Sequence, residues 1–133
     1  MYCNTIKLVR QLEIGEIMNP ELDHEAIVAK LNTLIPPEDE LGRITAIFKA
    51  LGDPTRARIL YALGVSKLSV GELAAGLDLT QSNVSHQLTV LRELKLVVGT
   101  RSGRNVHYQL ADKHIISIFQ QVAAHAEESN QAE

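Results

Sequence analysis

The sequence predicts a mainly α protein with one small β-wing, and three observations carry that prediction. Apolar residues recur at three-to-four spacing through most of the chain, the mark of amphipathic helices. Only the stretch around residues 96–110 alternates with period two. Capping residues, prolines and glycines break the helical pattern at intervals of one short helix.

Residues 1–20 show no clear period and end at Pro20, so an N-terminal arm is expected there, either poorly ordered or a loose helix. From Glu21 to Ile35, Leu22, Ala26, Ala29, Leu31 and Leu34 loosely fit a helix, which Pro36 and Pro37 end. Leu41, Ile44, Ile47, Phe48 and Leu51 form one stripe over Glu38–Leu51, closed by Gly52. Asp53 is a good N-cap and Pro54 suits the first helical position. Ile59, Leu60 and Leu63 give the next helix its apolar face, and Gly64 is expected to stop it. Val70–Leu77 is a short helix with Leu73, Ala74 and Leu77 inward, and small Ala74 and Ala75 would admit a close crossing. Asp78 and Leu79 turn the chain, and Thr80 caps Gln81–Leu94, with Val84, Leu88, Leu91 and Leu94 inward. Two short helices joined by a tight turn make a helix-turn-helix. Leu96–Thr100 and Asn105–Leu110 suit paired strands turning at Ser102-Gly103, with Arg101 and Arg104 near the tip. Asp112 caps a last helix to about Glu128. The domain reading is therefore an arm at 1–20, a winged helix-turn-helix domain at 21–128, of a helical kind and size that often adds a dimer interface, and a polar tail at 129–133.

Composition narrows the function. The chain is 45% hydrophobic and 22% charged, with no Trp, so its core is aliphatic and its class is globular. It has no apolar run long enough to span a bilayer, and one cysteine, Cys3, allows no internal disulfide. A cytoplasmic protein with no membrane partner is expected. The net charge of −3 hides a segregation: residues 41–110 are net +5 between acidic ends. A locally basic module can hold phosphates, with salt-sensitive affinity.

The second helix of the motif presents Gln81, Ser82, Asn83, Ser85, His86 and Thr89 on its polar face. Neutral hydrogen-bonding side chains at a helix N-terminus are what enters a major groove. Gln and Asn can read adenine bidentately, Ser can serve bases or phosphates, and Arg101 and Arg104 can reach the backbone or minor groove. A polar face alone is more often only solvated. The order of short helix, turn, polar-faced helix and arginine-tipped hairpin favours DNA.

Three stretches resemble the ArsR/SmtB family of metal-responsive repressors. They are Leu51-Gly52-Asp53-Pro54-Thr55-Arg56-Ala57-Arg58-Ile59-Leu60, Thr80-Gln81-Ser82-Asn83-Val84-Ser85-His86-Gln87-Leu88, and Arg101-Ser102-Gly103-Arg104-Asn105-Val106-His107-Tyr108. The resemblance covers about residues 21–128. It implies a homodimer, built on the first and last helices, that occupies an inverted-repeat operator in double-stranded DNA and leaves it when an inducer binds.

The last helix carries Asp112, His114, His125 and Glu128, spaced Asp-x-His, then ten residues, then His-x-x-Glu. His114 and His125 share a face but lie about 16 Å apart along the axis, too far for one ion with ligand atoms about 2 Å away. Antiparallel pairing with a second copy closes the geometry. Asp112 and His114 of one subunit then lie beside His125 and Glu128 of the other, giving two equivalent sites. Ile115, Ile118, Phe119 and Val122 lie between the pairs and offer apolar surface to hold the helices together. Two nitrogen and two oxygen donors suit zinc, with cobalt possible and nickel less suited. The resemblance extends to these four positions. It further implies that His125 gives its second ring N–H to the backbone near Lys95, at the end of the reading helix.

The sequence departs from many relatives where they carry cysteine: Ser69 stands in the thiolate position and only Glu72 keeps a potential ligand. Sensing of soft, thiolate-seeking ions is therefore not expected. Cys3, His24 and Glu72 are the residues from which a weak second site could be assembled, although a mobile arm organises ligands poorly. His86 reads as a DNA contact or local packing, and His107 as structural or phosphate-facing. Four protein ligands leave a metal no open position, and no nucleophile–base pair is visible, so neither an enzyme nor a small-molecule substrate is expected. The resulting expectation is a repressor of metal-homeostasis genes released by zinc. The alternative is a regulator of the same fold responding to cobalt, nickel or a non-metal inducer.

Overall fold

The computed structural model describes residues 23–131. The expected arm at 1–20, with Cys3, lies outside the described residues. The described residues fall into two compact units that divide between Ile47 and Phe48.

Helix α1 (His24–Leu34) starts where Asp23 accepts the Ala26 N–H at 2.7 Å, and the extended Ile35 before Pro36 ends it. It buries no side chain, and Ile27, Val28 and Leu31 are exposed along it. Helix α2 (Glu38–Leu51) opens with Glu38, Asp39 and Glu40, carboxylates suited to the positive end of a helix. Glu40 is buried, and neither of its carboxylate oxygens takes a hydrogen bond.

The second unit runs α3 (Pro54–Val65), β1 (Leu68–Ser69), α4 (Val70–Leu77), α5 (Gln81–Glu93), β2 (Val97–Ser102), β3 (Asn105–Leu110) and α6 (His114–Gln131). The strands form one antiparallel sheet in the order β1-β3-β2. This is a winged helix-turn-helix. Ile59, Leu60, Leu73, Val84, Leu88 and Leu91 are almost wholly buried and make its aliphatic core. Burying each contributes roughly 1.5–3 kcal/mol. Among the described residues no helix is long and apolar enough to cross a membrane.

The expected caps hold: Asp53 accepts from the Arg56 N–H at 2.9 Å, and Thr80 from the Asn83 N–H at 3.0 Å. Several boundaries differ. Gly64 does not stop α3, which runs on to Val65. A Cβ on Gly64 would lie 2.8 Å from Ile116 Cδ1, so the glycine serves the close approach of α6. Ala75 is exposed, leaving Ala74 as the small buried residue of α4. The wing turns at Gly103-Arg104, one residue later than expected, because Ser102 still pairs with Asn105. Gly103 has φ +64°, the positive value a tight hairpin turn needs at its first central position. Strand β1 is too short to leave a periodic signal in sequence. Helix α6 continues past Glu128 to Gln131.

Both helices of the reading motif end on left-handed residues that are not glycine, Asp78 (φ 53°) and Lys95 (φ 59°). In each case the next N–H reaches back five residues, Leu79 to the Ala74 carbonyl and Leu96 to the Leu91 carbonyl, both at 2.9 Å. These bonds satisfy carbonyls that a helix end leaves open.

Candidate functional site

Helix α4 is set by a reciprocal capping box. Ser69 Oγ accepts from the Glu72 N–H at 3.2 Å, and Glu72 Oε1 accepts from the Ser69 N–H at 3.0 Å. Its far end is pinned by Arg58, whose Nη2 donates to the Leu77 carbonyl at 2.7 Å. The turn at Asp78 then delivers α5 with Val84, Leu88 and Leu91 inward and its polar face outward. Gln81, Ser82, Ser85, His86 and Thr89 are exposed, and Asn83 is half-buried. Thr89 Oγ1 donates to the Ser85 carbonyl at 2.9 Å, leaving that hydroxyl only its acceptor capacity.

The sheet brings the wing to the N-terminus of this helix. A cleft of about 380 Å³ is lined by Gln81 of α5, Gly71 of α4, and Arg104, Asn105 and Val106 of the wing. A neutral reading residue and a cation thus open on one concavity, as base and phosphate contacts from one module require. Arg101, in β2, is exposed. Sequence reasoning missed two further polar residues here. Arg56 Nη1 donates to Gln87 Oε1 at 3.2 Å, and Gln87 Nε2 donates to Asn83 Oδ1 at 3.4 Å. The one available signal was the spacing of Asn83 and Gln87, one helical turn apart.

Glu72 also ties the motif to the wing, since His107 Nε2 lies 3.6 Å from its carboxylate. The Ser69 backbone N–H, then the Ser69 hydroxyl, and lastly His107 hold the Glu72 carboxyl below the usual carboxylate range. A depressed folded-state pKa stabilises the fold above the carboxylate's unfolded value and is lost as pH falls through the folded one. Urea midpoints of the wild-type chain should therefore fall more steeply on acidification below the ordinary carboxylate range than those of Glu72→Gln. Parallel curves would remove this role of Glu72.

The four metal-ligand candidates lie on or beside α6. Asp112 Oδ1 accepts from the His114 N–H at 2.9 Å and lies 3.2 Å from His114 Nδ1. The structure thus brings these two together at the start of the helix, and both are exposed. His125 and Glu128 are exposed on its C-terminal half, three residues apart on one helix surface. Within one chain, no group of three or more metal-ligating side chains converges among the described residues. Of the apolar residues expected between the pairs, Ile115 is 4% exposed, packed into the chain's own core and closed to a partner. Phe119 stacks obliquely on Tyr61 of α3, ring centroids 5.1 Å apart, while Val122 is 59% exposed.

Comparison with known proteins identifies the family to which the reading motif and wing belong. Residues 53–98 fit the model of the bacterial regulatory protein arsR family. The chain is 44% identical over 120 residues to a transcriptional repressor SmtB homolog of Synechocystis sp., covering 90% of this chain and 91% of that protein. It resembles the solution structure of the cadmium metal-sensor CmtR of Mycobacterium tuberculosis, with TM-score 0.51 and 48% identity over 58% of this chain and 80% of that one. A homodimeric winged helix-turn-helix DNA-binding domain from Mycobacterium bovis shares the fold at TM-score 0.64 and 22% identity, over 87% of this chain and 96% of that one. A motif that sets a polar helix beside an arginine-tipped wing, and a relative alike over nine-tenths of both chains, lead to one assignment. The chain belongs to the ArsR family of bacterial regulatory proteins, transcription regulators with a DNA-binding winged helix rather than enzymes.

Proposed function

We propose that this protein is a homodimeric, cytoplasmic repressor of metal-homeostasis genes that zinc releases from an inverted-repeat operator. Gln81, Ser82, Asn83, Ser85, His86 and Thr89 meet the major groove, and Arg101 and Arg104 hold the flanking backbone. Zinc binds between the two C-terminal helices of the dimer, held by Asp112 and His114 of one subunit with the equivalents of His125 and Glu128 from the other.

The observation that carries this reading is the division of the four donors. They are exposed as two pairs about three turns apart, one at the start of α6 and one on its C-terminal half, so each pair needs the complementary pair of a second copy. The exposed Val122 and half-buried Ile118 between them supply apolar contact for that copy. The donor set of two imidazoles and two carboxylates fits zinc, and cobalt second. The likeness to a cadmium sensor does not shift the metal, because cadmium favours thiolates and Ser69 stands where a thiolate would be. Bound metal supplies a tie between subunits, and the chain's own part is to orient the ligand pairs and carry the reading helices.

The test is fluorescence anisotropy of the protein on DNA from upstream of its own gene, at fixed salt, with zinc added. Tight binding that collapses at about one to two zinc ions per dimer supports the reading. Tight binding indifferent to zinc leaves a DNA-binding regulator and removes the inducer.

A further inference from the structure

Asn83 occupies the first turn of α5, half-buried where Gln81, Ser82, Ser85 and His86 are exposed. A side-chain amide has nearly the same shape whichever way round it sits. Its oxygen only accepts and its nitrogen only donates, so its orientation decides what it can read. Here that orientation is imposed from outside the reading face. Arg56 is anchored on one side, its Nε donating to the Ala50 carbonyl at 2.9 Å, and its Nη1 donates to Gln87 Oε1 at 3.2 Å. A guanidinium has donors only, so Gln87 must turn its oxygen toward Arg56. That directs Gln87 Nε2 at Asn83, and Asn83 must answer with Oδ1, at 3.4 Å.

We infer that Arg56 and Gln87 are positioning residues that set the hydrogen-bonding edge of Asn83, so that it meets a base as a donor through Nδ2. The inference rests on the reading of α5 as the DNA-contacting helix. It changes what Asn83 recognises. A bidentate contact to adenine needs the amide oxygen free toward the groove, whereas here the oxygen is turned to Gln87. A donor alone selects the acceptors, guanine O6 and N7, thymine O4 or adenine N7, and rejects the amino group of cytosine. Base preference at this position is thus set by a residue of α3 that need not touch DNA.

Gln87→Glu is the decisive substitution. The new carboxylate still accepts from Arg56 but cannot donate to Asn83, so the Asn83 amide turns over and presents its oxygen. The binding site is first selected from a pool of random duplexes. Every single-base-pair variant of it is then titrated by anisotropy at fixed salt, with circular dichroism checking the fold. The expected result is a change in preference of about tenfold at one base pair per half-site, from acceptor-bearing to amino-bearing edges. Adding Asn83→Ala should abolish that change. Gln87→Met, uncharged and of similar length, should relax the same preference without inverting it, and it carries the test if the carboxylate variant does not fold. An unchanged base profile in the Gln87 variants, with Asn83→Ala still losing discrimination, overturns the relay and leaves α5 as the reading helix. A uniform loss at all positions marks a phosphate contact and also overturns it. If Asn83→Ala binds every variant as the wild type does, the assignment of Asn83 to DNA fails, and the relay with it.

Discussion

His125→Ala is expected to leave DNA binding intact and to remove its response to zinc. In the wild-type dimer, zinc should weaken the DNA complex by about 5–150-fold, the usual range of a coupling between two sites. The variant should change by less than about twofold, because loss of the imidazole opens one ligand position to water and removes one of the two ties from the second subunit. Mixing two variants tests whether each site spans the two-fold axis. Asp112→Ala/His114→Ala chains lack one half of both sites, and His125→Ala/Glu128→Ala chains lack the other. Neither homodimer should bind zinc through α6. The mixed dimer retains one complete site, formed by the intact pair of each chain, and should recover one zinc ion per dimer. Recovery absent from the mixture, or a full zinc response in His125→Ala, would reject the inter-subunit assignment.

Leu91→Ala should lower the stability of the second compact unit by about 2–5 kcal/mol. Leu91 is fully buried in the last turn of α5, where it joins Leu88 and Val84 in the core. Truncation removes the transfer free energy of the side chain and leaves a cavity that the surrounding helices fill only in part. Domains of this size are stable by about 5–15 kcal/mol in total, so the loss is a large fraction. Urea unfolding with an unchanged slope and a lower midpoint is the expected record. DNA affinity of the folded fraction should stay near wild type, since Leu91 lies on the face opposite the polar residues. A loss below about 1 kcal/mol would mean that the site collapses freely, against close packing.

Much of the fold was legible before any coordinates, and for local reasons. Asp53 followed by Pro54, and Thr80 before Gln81, are start signals whose physics is confined to one turn, and both caps are present. The helical period of Leu88, Leu91 and their neighbours marks one buried face without reference to what covers it. The polar face of α5 and the arginines of the wing were visible as composition at helical or strand spacing. Spacing also indicated that the two histidines of α6 could not share an ion within one chain.

Contacts between distant segments were decided elsewhere. Gly64 reads as a stop signal in sequence, but α3 continues through it, and its missing Cβ leaves the space that Ile116, far along the chain, occupies. Ile115 looks like interface and is core, since the angle at which α6 lies on its own subunit chooses which apolar residues remain for a partner. Strand β1 exists only because β3 pairs with it. Nothing in sequence says that Arg56 and Gln87, 31 residues apart, meet, until packing of α3 against α5 brings a one-way donor to an ambidextrous amide. Caps and periods are interactions of near neighbours and can be read from the residues themselves. Close approaches and the direction of a hydrogen-bond chain depend on which surfaces meet, and only the folded chain specifies that.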